Sequence, residues 1–253
     1  MKIAIAGGTG TVGRHVTELV GRRGHESVVI ARSTGVDLQS GAGLAGALAG
    51  VDVVIDVVSI ATLSAAASSR FFGATSTNLL RAEASSGLRH HVSLSIVNAS
   101  RVSAGYYAGK TVQENIVTAG SVPWTMLRAT QFHEFAVQTL QRSTRAGLAV
   151  VPVMRTQPVA AREVAERLVE LALGSPRGHV PDLGGPREEH LLDMVRAYVR
   201  ASRRRIRVVQ IRLPGRMGTA MRDGSLLPAG NTDRGTQSFA EWLDSDVRAT
   251  PAG

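Results

Sequence analysis

The feature that most constrains this chain stands at its start. A short apolar run, Lys2-Ile3-Ala4-Ile5-Ala6, leads directly into Gly7-Gly8-Thr9-Gly10-Thr11-Val12-Gly13. Beyond it, Val12, Val16, Leu19 and Val20 recur at helical spacing. This pattern predicts a buried strand over 2–6, a tight turn, and a helix over 10–22. In such a unit Gly7 permits the turn, Gly10 lets an anionic group approach the backbone, and Gly13 lets helix and strand pack closely. The anion would meet N–H groups and the positive end of the helix dipole. The pattern fits the pyrophosphate of a dinucleotide. No Gly-Lys-Ser/Thr follows, so it is not a P-loop.

Behind the turn, apolar runs and helical patterns alternate. Strands are expected over 27–32, 51–58, 91–97 and 124–129, and helices over 44–49, 71–86 and 106–119, the last stopped by Gly120. The alternation implies an α/β fold of Rossmann type, a doubly wound parallel sheet that binds ligands at the carboxyl ends of its strands. After residue 130 the order changes. Helices are expected over 132–146, 161–174 and 188–202, with a last one around 239–243, and strands over 179–183 and 206–213. The expected organisation is a dinucleotide-binding core over 1–130 and a small C-terminal α/β substrate subdomain over 131–253, packed on the core as a single unit and roofing its cleft.

Composition narrows the chemistry. There are no cysteines, which removes disulfides and thiolate sites and fits a cytoplasmic protein. The histidines show no metal-ligand spacing, so no metal site is expected. The apolar stretch 51–61 is interrupted by Asp52 and Asp56, so no membrane span is expected. The net charge is +9, yet every basic residue except Lys2 and Lys110 is arginine. With abundant Ala, Gly and Val, that usage reads as the codon bias of a GC-rich genome. The most basic stretch, Arg200–Arg207, straddles an expected helix end and strand start, which argues against a nucleic-acid partner. No G-x-S-x-G elbow supports a hydrolase.

Two local patterns carry the chemistry. NAD-selective sites place a carboxylate at the end of the second strand, but here that strand ends Ile30-Ala31-Arg32-Ser33. Arg32 would pair with a 2′-phosphate, so NADP(H) is preferred over NAD(H). Tyr106 and Lys110 form a Tyr-x-x-x-Lys pair on one face of an expected helix. The ammonium and the cofactor's positive ring are expected to lower the phenol pKa and make Tyr106 an acid/base, with Lys110 as its tuner. Ser95, at the end of the fourth strand, is the candidate to orient a substrate carbonyl. Gln131 and His133, after the fifth strand, are candidates for substrate contact.

Together these features resemble the short-chain dehydrogenase/reductase superfamily, and more closely its atypical branch of NmrA-like and NAD(P)H-binding proteins often described as sugar epimerases. The resemblance covers nearly the whole chain. It rests on 6–13, Arg32, Asp37-Leu38, HHVSLSIV at 90–97, YYAGKTVQE at 106–114, WTMLRATQFHEF at 124–135 and FAEWL at 239–243. The resemblance implies that Thr9, Gly10, Thr11, Val12 and Gly13 hold the pyrophosphate and Arg32 the 2′-phosphate. It implies that Asp37 and Leu38 flank the adenine and that Val57, Val58 and Ser59 line the ribose side. Lys110 would hold the nicotinamide ribose, and Thr130 to Phe132 would border the nicotinamide and substrate. The expected function is an NADP(H)-dependent oxidoreductase acting on a small carbonyl, quinone or alcohol. The alternative is a non-catalytic NAD(P)H-binding redox sensor, since atypical members keep the lysine while losing a working serine–tyrosine pair. A homodimer is an open possibility at this stage.

Overall fold

In a computed structural model, residues 1–230 and 232–249 are described. In chain order the elements are β1 (Lys2–Ala6), α1 (Thr11–Arg22), β2 (Glu26–Ile30), α2 (Leu44–Ala47), β3 (Val53–Asp56), α3 (Ala65–Ser85), β4 (His90–Ile96), α4 (Ala99–Val102), α5 (Tyr106–Ala119) and β5 (Trp124–Ala129). The chain continues through α6 (Glu134–Ser143), β6 (Thr144–Arg145), β7 (Leu148–Pro152), β8 (Arg155–Thr156), α7 (Ala161–Leu173), β9 (Gly178–His179) and β10 (Asp182–Gly184). It ends with β11 (Glu189–His190), α8 (Leu191–Ala201), β12 (Arg207–Ile211), α9 (Gly215–Asp223), β13 (Thr232–Arg234) and α10 (Phe239–Ala249). These form two compact units. The first is Met1–Arg128 with Arg162–Pro181, and the second is Ala129–Ala161 with Asp182–Gly253. Residues 162–181 therefore return to the first unit.

The first unit holds a Rossmann-type sheet with strand order β9-β5-β4-β3-β1-β2. The register pairs Ile3 with Ser27 and with Val53, and Ile55 with Val92, all in parallel. Side chains alternate across the sheet. Ala4, Ala6 and Val54 meet Leu44 and Leu48 of α2, Leu79 and Leu80 of α3, and Val117 of α5 on one face. Ile3, Ile5 and Ile55 are fully buried on the other, where α1 packs along β1 and β2. Strands buried on both faces read as continuous apolar runs, which is why β1 and β3 carry no polar alternation. The chain leaves β1 for β2 on one side and for β3 on the other, so the strand order reverses at β1. Ligands of such sheets bind at that reversal.

Helix α3 begins at Ala65, earlier than apolar periodicity suggests, because the Ser64 hydroxyl accepts a hydrogen bond from Ala67 N–H at 3.3 Å and caps it. At its far end the buried Glu83 carboxylate meets His91 Nδ1 of β4 at 2.9 Å. Helix α3 packs on α5 at Gly109, where an added Cβ would collide with Ser68 Oγ and lie 2.6 Å from the Phe72 ring. Gly120 ends α5 as expected, though with extended backbone at φ −74° rather than the left-handed form.

In the second unit β6, β7 and β12 form a small sheet. The expected helix over 132–146 stops at Ser143. Ala146 and Gly147 have φ of 45° and 76°, and they turn β6 antiparallel onto β7. Positive φ at both central residues is the geometry of a tight hairpin turn, and Ala-Gly conceals it better than Asn-Gly would. The expected strand over 179–183 is interrupted at Pro181, leaving β9 and β10 as separate pieces. Helix α8 ends at Ala201 and Arg203 takes φ 54°, so the arginine run does straddle a helix end and a strand start. Among the described residues no helix is long and apolar enough to cross a membrane.

Because backbone of α3 and α5 approaches so closely at Gly109, Gly109→Ala is expected to destabilise the fold by about 1–3 kcal/mol. Urea denaturation measures it, and an unchanged midpoint would show that this approach is not a tight one.

Candidate active site

At the carboxyl end of β1 the turn is built on backbone. Gly7 takes φ +82°, and its N–H donates to Ile30 O at 2.9 Å while Gly10 N–H donates to Gly7 O at 2.9 Å. A Cβ on Gly7 would lie 3.0 Å from Val57 O and 3.1 Å from Val58 Cα. One on Gly13 would collide with Gly7 O and sit 2.6 Å from Gly8 Cα. Helix α1 starts at Thr11 with Gly10 as its cap, which offers no side-chain hydrogen bond. Val12 and Gly13 are buried, while Thr9 and Gly10 are exposed. Beside the turn lies an open depression of about 380 Å³ lined by Gly8, Thr9, Arg14, Thr17, Glu18 and Val29. A cradle that side chains would fill, opening onto a helix N-terminus, fits a dinucleotide pyrophosphate.

Arg32 begins a short 3₁₀ turn after β2. It is exposed, and among the described residues no carboxylate pairs with it. Asp37 accepts hydrogen bonds from Gln39 N–H at 2.9 Å and Ser40 Oγ at 3.1 Å. Leu38 is buried in the core, and its carbonyl accepts from Asn78 Nδ2 at 3.0 Å. The expected adenine-flanking pair thus sits on a loop that its own side chains and α3 hold in shape.

Between the end of β3 and helix α5 runs a ladder of three contacts. Asp56 Oδ2 accepts from Gln113 Nε2 at 2.7 Å. Val58 O accepts from Lys110 Nζ at 3.3 Å. The Ser59 and Tyr106 hydroxyls lie 3.2 Å apart. Positions 113, 110 and 106 follow one another about a turn apart on one helix face, while the strand end advances residue by residue. Lys110 is 3% exposed, and its Nζ also donates to Leu94 O at 2.9 Å and Gln113 Oε1 at 2.8 Å. The Phe72 ring centroid is 4.4 Å from it. Its three hydrogens therefore all have protein acceptors. Burial pulls its pKa down to about 8, against the opposing attraction of Asp56 and Glu114.

Lys110 is not among the groups that shift the Tyr106 pKa in this structure. Burial, aided by the Asp56 charge, pushes Tyr106 up to about 12, and only the hydrogen bond with Ser59 works the other way. The ammonium is turned to Val58, Leu94 and Gln113 rather than to the phenol. Ser95 is 4% exposed, and its hydroxyl donates to Glu114 Oε1 at 2.6 Å. Glu114 in turn receives Arg128 Nε at 2.8 Å and Nη2 at 2.7 Å. The hydroxyl that meets Tyr106 is that of Ser59, which is exposed.

The four candidates after β5 belong to the second unit. Thr130 is buried, donating its hydroxyl to Gln157 O at 2.6 Å. Gln131 Oε1 accepts from Thr156 Oγ1 at 2.6 Å, and Phe132 is half-buried, bridging to Val159. His133 is fully buried, its ring 5.8 Å from both Phe239 and Trp242 and its Nε2 3.0 Å from Gln237 O. Phe239, Trp242 and Met221 are buried too. Sequence reasoning passed over Asp56, Gln113, Glu114 and Arg128. The signal available was a buried run ending in Asp56, with Gln113 and Glu114 a turn beyond Lys110.

No protein-family model matches the chain, and no curated protein does. Solved structures do match. A short-chain dehydrogenase/reductase superfamily protein from Agrobacterium tumefaciens with bound NAD aligns at 15% identity over 98% of this chain and 97% of its own, with a TM-score of 0.68. MoeE5 in complex with UDP-glucuronic acid and NAD aligns at 15% identity over 98% of both chains, TM-score 0.76. The NADPH-dependent quinone oxidoreductase QOR2 from Escherichia coli aligns at 15% identity over 96% of this chain and 98% of its own, TM-score 0.69. The chain shares the Rossmann-type fold of these structures.

At neutral pH Lys110 is charged in both the folded and the unfolded chain, and the folded state bears the cost of burial. Between about 8 and the ordinary lysine value of 10.5 the unfolded chain keeps a proton that the folded chain has released. Stability from this group therefore rises with pH through that window. Measured by urea denaturation, the wild-type unfolding free energy relative to Lys110→Met is expected to grow by about 1–3 kcal/mol across it. A flat difference would show that burial does not depress Lys110.

Proposed function

We propose that this chain is an NADP(H)-dependent oxidoreductase that reduces a small carbonyl or quinone, or oxidises the matching alcohol. The observation that carries the reading is the ladder at the end of β3. It ties a protonated tyrosine hydroxyl to the same backbone, Val57 and Val58, that walls the glycine turn. The backbone around Thr9–Gly13 would hold the pyrophosphate, and Arg32 the 2′-phosphate through charge-assisted hydrogen bonds. Asp37 and Leu38 would border the adenine and Val57 to Ser59 the ribose. When bound, the reduced cofactor supplies a hydride to the carbonyl carbon. Tyr106 donates its proton to the carbonyl oxygen and recovers one from water. A raised pKa keeps the phenol protonated at neutral pH, the state this step needs. Lys110 acts through Val58 and Gln113 to hold the strand end in place. The quinone oxidoreductase among the structural neighbours supports this substrate class, and the NAD-bound neighbours support the cofactor class.

A second reading is a dinucleotide-binding redox sensor. It is favoured by one observation: all three Lys110 hydrogens are committed to protein acceptors, where a working reductase would turn one to the cofactor ribose.

Titration with NADPH and NADH, followed by NADPH consumption against quinones, ketones and aldehydes, separates the readings. The enzyme reading expects Tyr106→Phe to lose about 100-fold or more in turnover while NADPH affinity stays within about two-fold. Arg32→Ala is expected to weaken NADPH by about 10- to 100-fold and leave NADH nearly unchanged. Full activity in Tyr106→Phe would remove it as the proton donor, and NADH bound as tightly as NADPH would overturn the cofactor preference.

A further inference from the structure

We propose that Ser59, rather than Ser95, is the second hydroxyl that grips the substrate oxygen beside Tyr106. The inference rests on the oxidoreductase reading of this site and adds a proton-donating role to a residue that reading uses only along the ribose.

The argument begins with what each serine can donate. Ser95 is buried, and its single O–H points to Glu114 Oε1 at 2.6 Å. That carboxylate is already the bidentate partner of Arg128. Turning the Ser95 hydroxyl toward a neutral carbonyl would exchange a charge-assisted hydrogen bond for a weaker one and leave a buried carboxylate short of a donor. Ser59 carries no such commitment. It is exposed, and its Oγ has the Tyr106 hydroxyl as its partner at 3.2 Å.

The Ser59–Tyr106 contact has the chemistry of a two-donor grip. Each hydroxyl is both donor and acceptor, so the proton between them lies on either oxygen when no substrate is present. A carbonyl oxygen arriving between them can accept from both, because two oxygens 3.2 Å apart can each reach one acceptor at the usual O–H···O distance of about 2.7–2.8 Å. The oxygen of a carbonyl under reduction gains negative charge, and donors already aimed at it strengthen as that charge develops.

Neither hydroxyl is left to wander. The residue before Ser59 is fixed at both its backbone polar groups, Val58 N–H by Asp56 Oδ1 at 3.0 Å and Val58 O by Lys110 Nζ. Tyr106 is anchored by its own carbonyl, which accepts from Ser68 Oγ at 2.9 Å, and by edge contacts of its ring with Phe72 and Tyr107. A surface serine with so much buried scaffolding behind it is a positioned donor.

The test uses the full chain labelled with tyrosine carrying ¹³C at the ζ carbon, whose NMR shift reports hydrogen bonding of the hydroxyl. The chain has three tyrosines, and Tyr106→Phe identifies the Tyr106 signal. Ser59→Ala is expected to move that signal and to lower kcat for the best carbonyl substrate at saturating NADPH by about 10- to 100-fold. Ser59→Thr is expected to restore most of the rate. Ser95→Ala is expected to leave both the signal and kcat near wild type. Because Ser59 is exposed, its alanine variant folds, and a thermal melt confirms it. Ser59→Ala with unchanged kcat in a working wild type overturns the proposal alone, as does loss of kcat on Ser95→Ala with no effect at Ser59. A wild type that binds NADPH but reduces nothing overturns the oxidoreductase reading, and this role of Ser59 falls with it.

Discussion

The arrangement of the site depends on one buried ammonium. A lysine head group taken out of water costs several kcal/mol unless its hydrogens are all received. Lys110 meets that condition through Val58 O, Leu94 O and Gln113 Oε1, with the Phe72 ring face supplying further negative potential. The geometry is that of a compact three-donor cation. A guanidinium would bring five donors in a flat fork into a space that offers three acceptors around a point. This accounts for a lysine here in a chain that otherwise uses arginine everywhere beyond its second residue. Removing the charge without filling its place would leave two backbone carbonyls and an amide oxygen buried and unpaired.

What the ammonium holds together is the carboxyl end of β3, the carboxyl end of β4 and the face of α5. From that junction the rest follows by contact. Val57 and Val58 close against Gly7, so the cradle for an anion and the anchor for Ser59 are parts of one short stretch of backbone. Asp56 closes the stretch from below, receiving Gln113 with one oxygen and Val58 N–H with the other. Gly109 permits the arrangement, because only a residue without a side chain lets α5 approach α3 closely enough to bring Tyr106 over the strand end. Cofactor cradle, lysine and tyrosine are therefore coupled by packing. A change at any of them is felt at the others through the backbone of 56–59.

Much of this was legible in the sequence, and the limit has a physical cause. The strands β1 to β5 announce themselves as continuous apolar runs, and the glycine turn as a spacing that few other folds need. Tyr106 and Lys110 are visible as a pair because helical periodicity alone puts them on one face. Which partner each side chain meets is a tertiary matter. Ser59 and Ser95 look alike in the sequence, one just past β3 and the other next to last in β4. The difference lies in Glu114 and Arg128, which come together only when α5 and β5 are folded. The direction of the Tyr106 pKa is a tertiary matter too, since in this structure burial and Asp56 raise it. Two- and three-residue strands such as β8, β11 and β13 exist only by pairing and leave no local pattern.

The raised Tyr106 pKa also fixes the proton state from which the proposed chemistry starts. A phenol near 12 is protonated at any physiological pH, so it is ready to give a proton to an oxygen that is gaining charge. The phenolate left after donation is a state that burial and the Asp56 charge both oppose, so prompt reprotonation from water completes the step. The hydroxyl of Ser59 does not reverse this, because it lowers the pKa less than burial raises it. Lys110, spent on the scaffold, offers its charge to the strand end and not to a phenolate. The site is therefore built as a donor of protons. On the proposed reading this is the state from which a carbonyl is reduced, and Arg32 would select the phosphorylated cofactor.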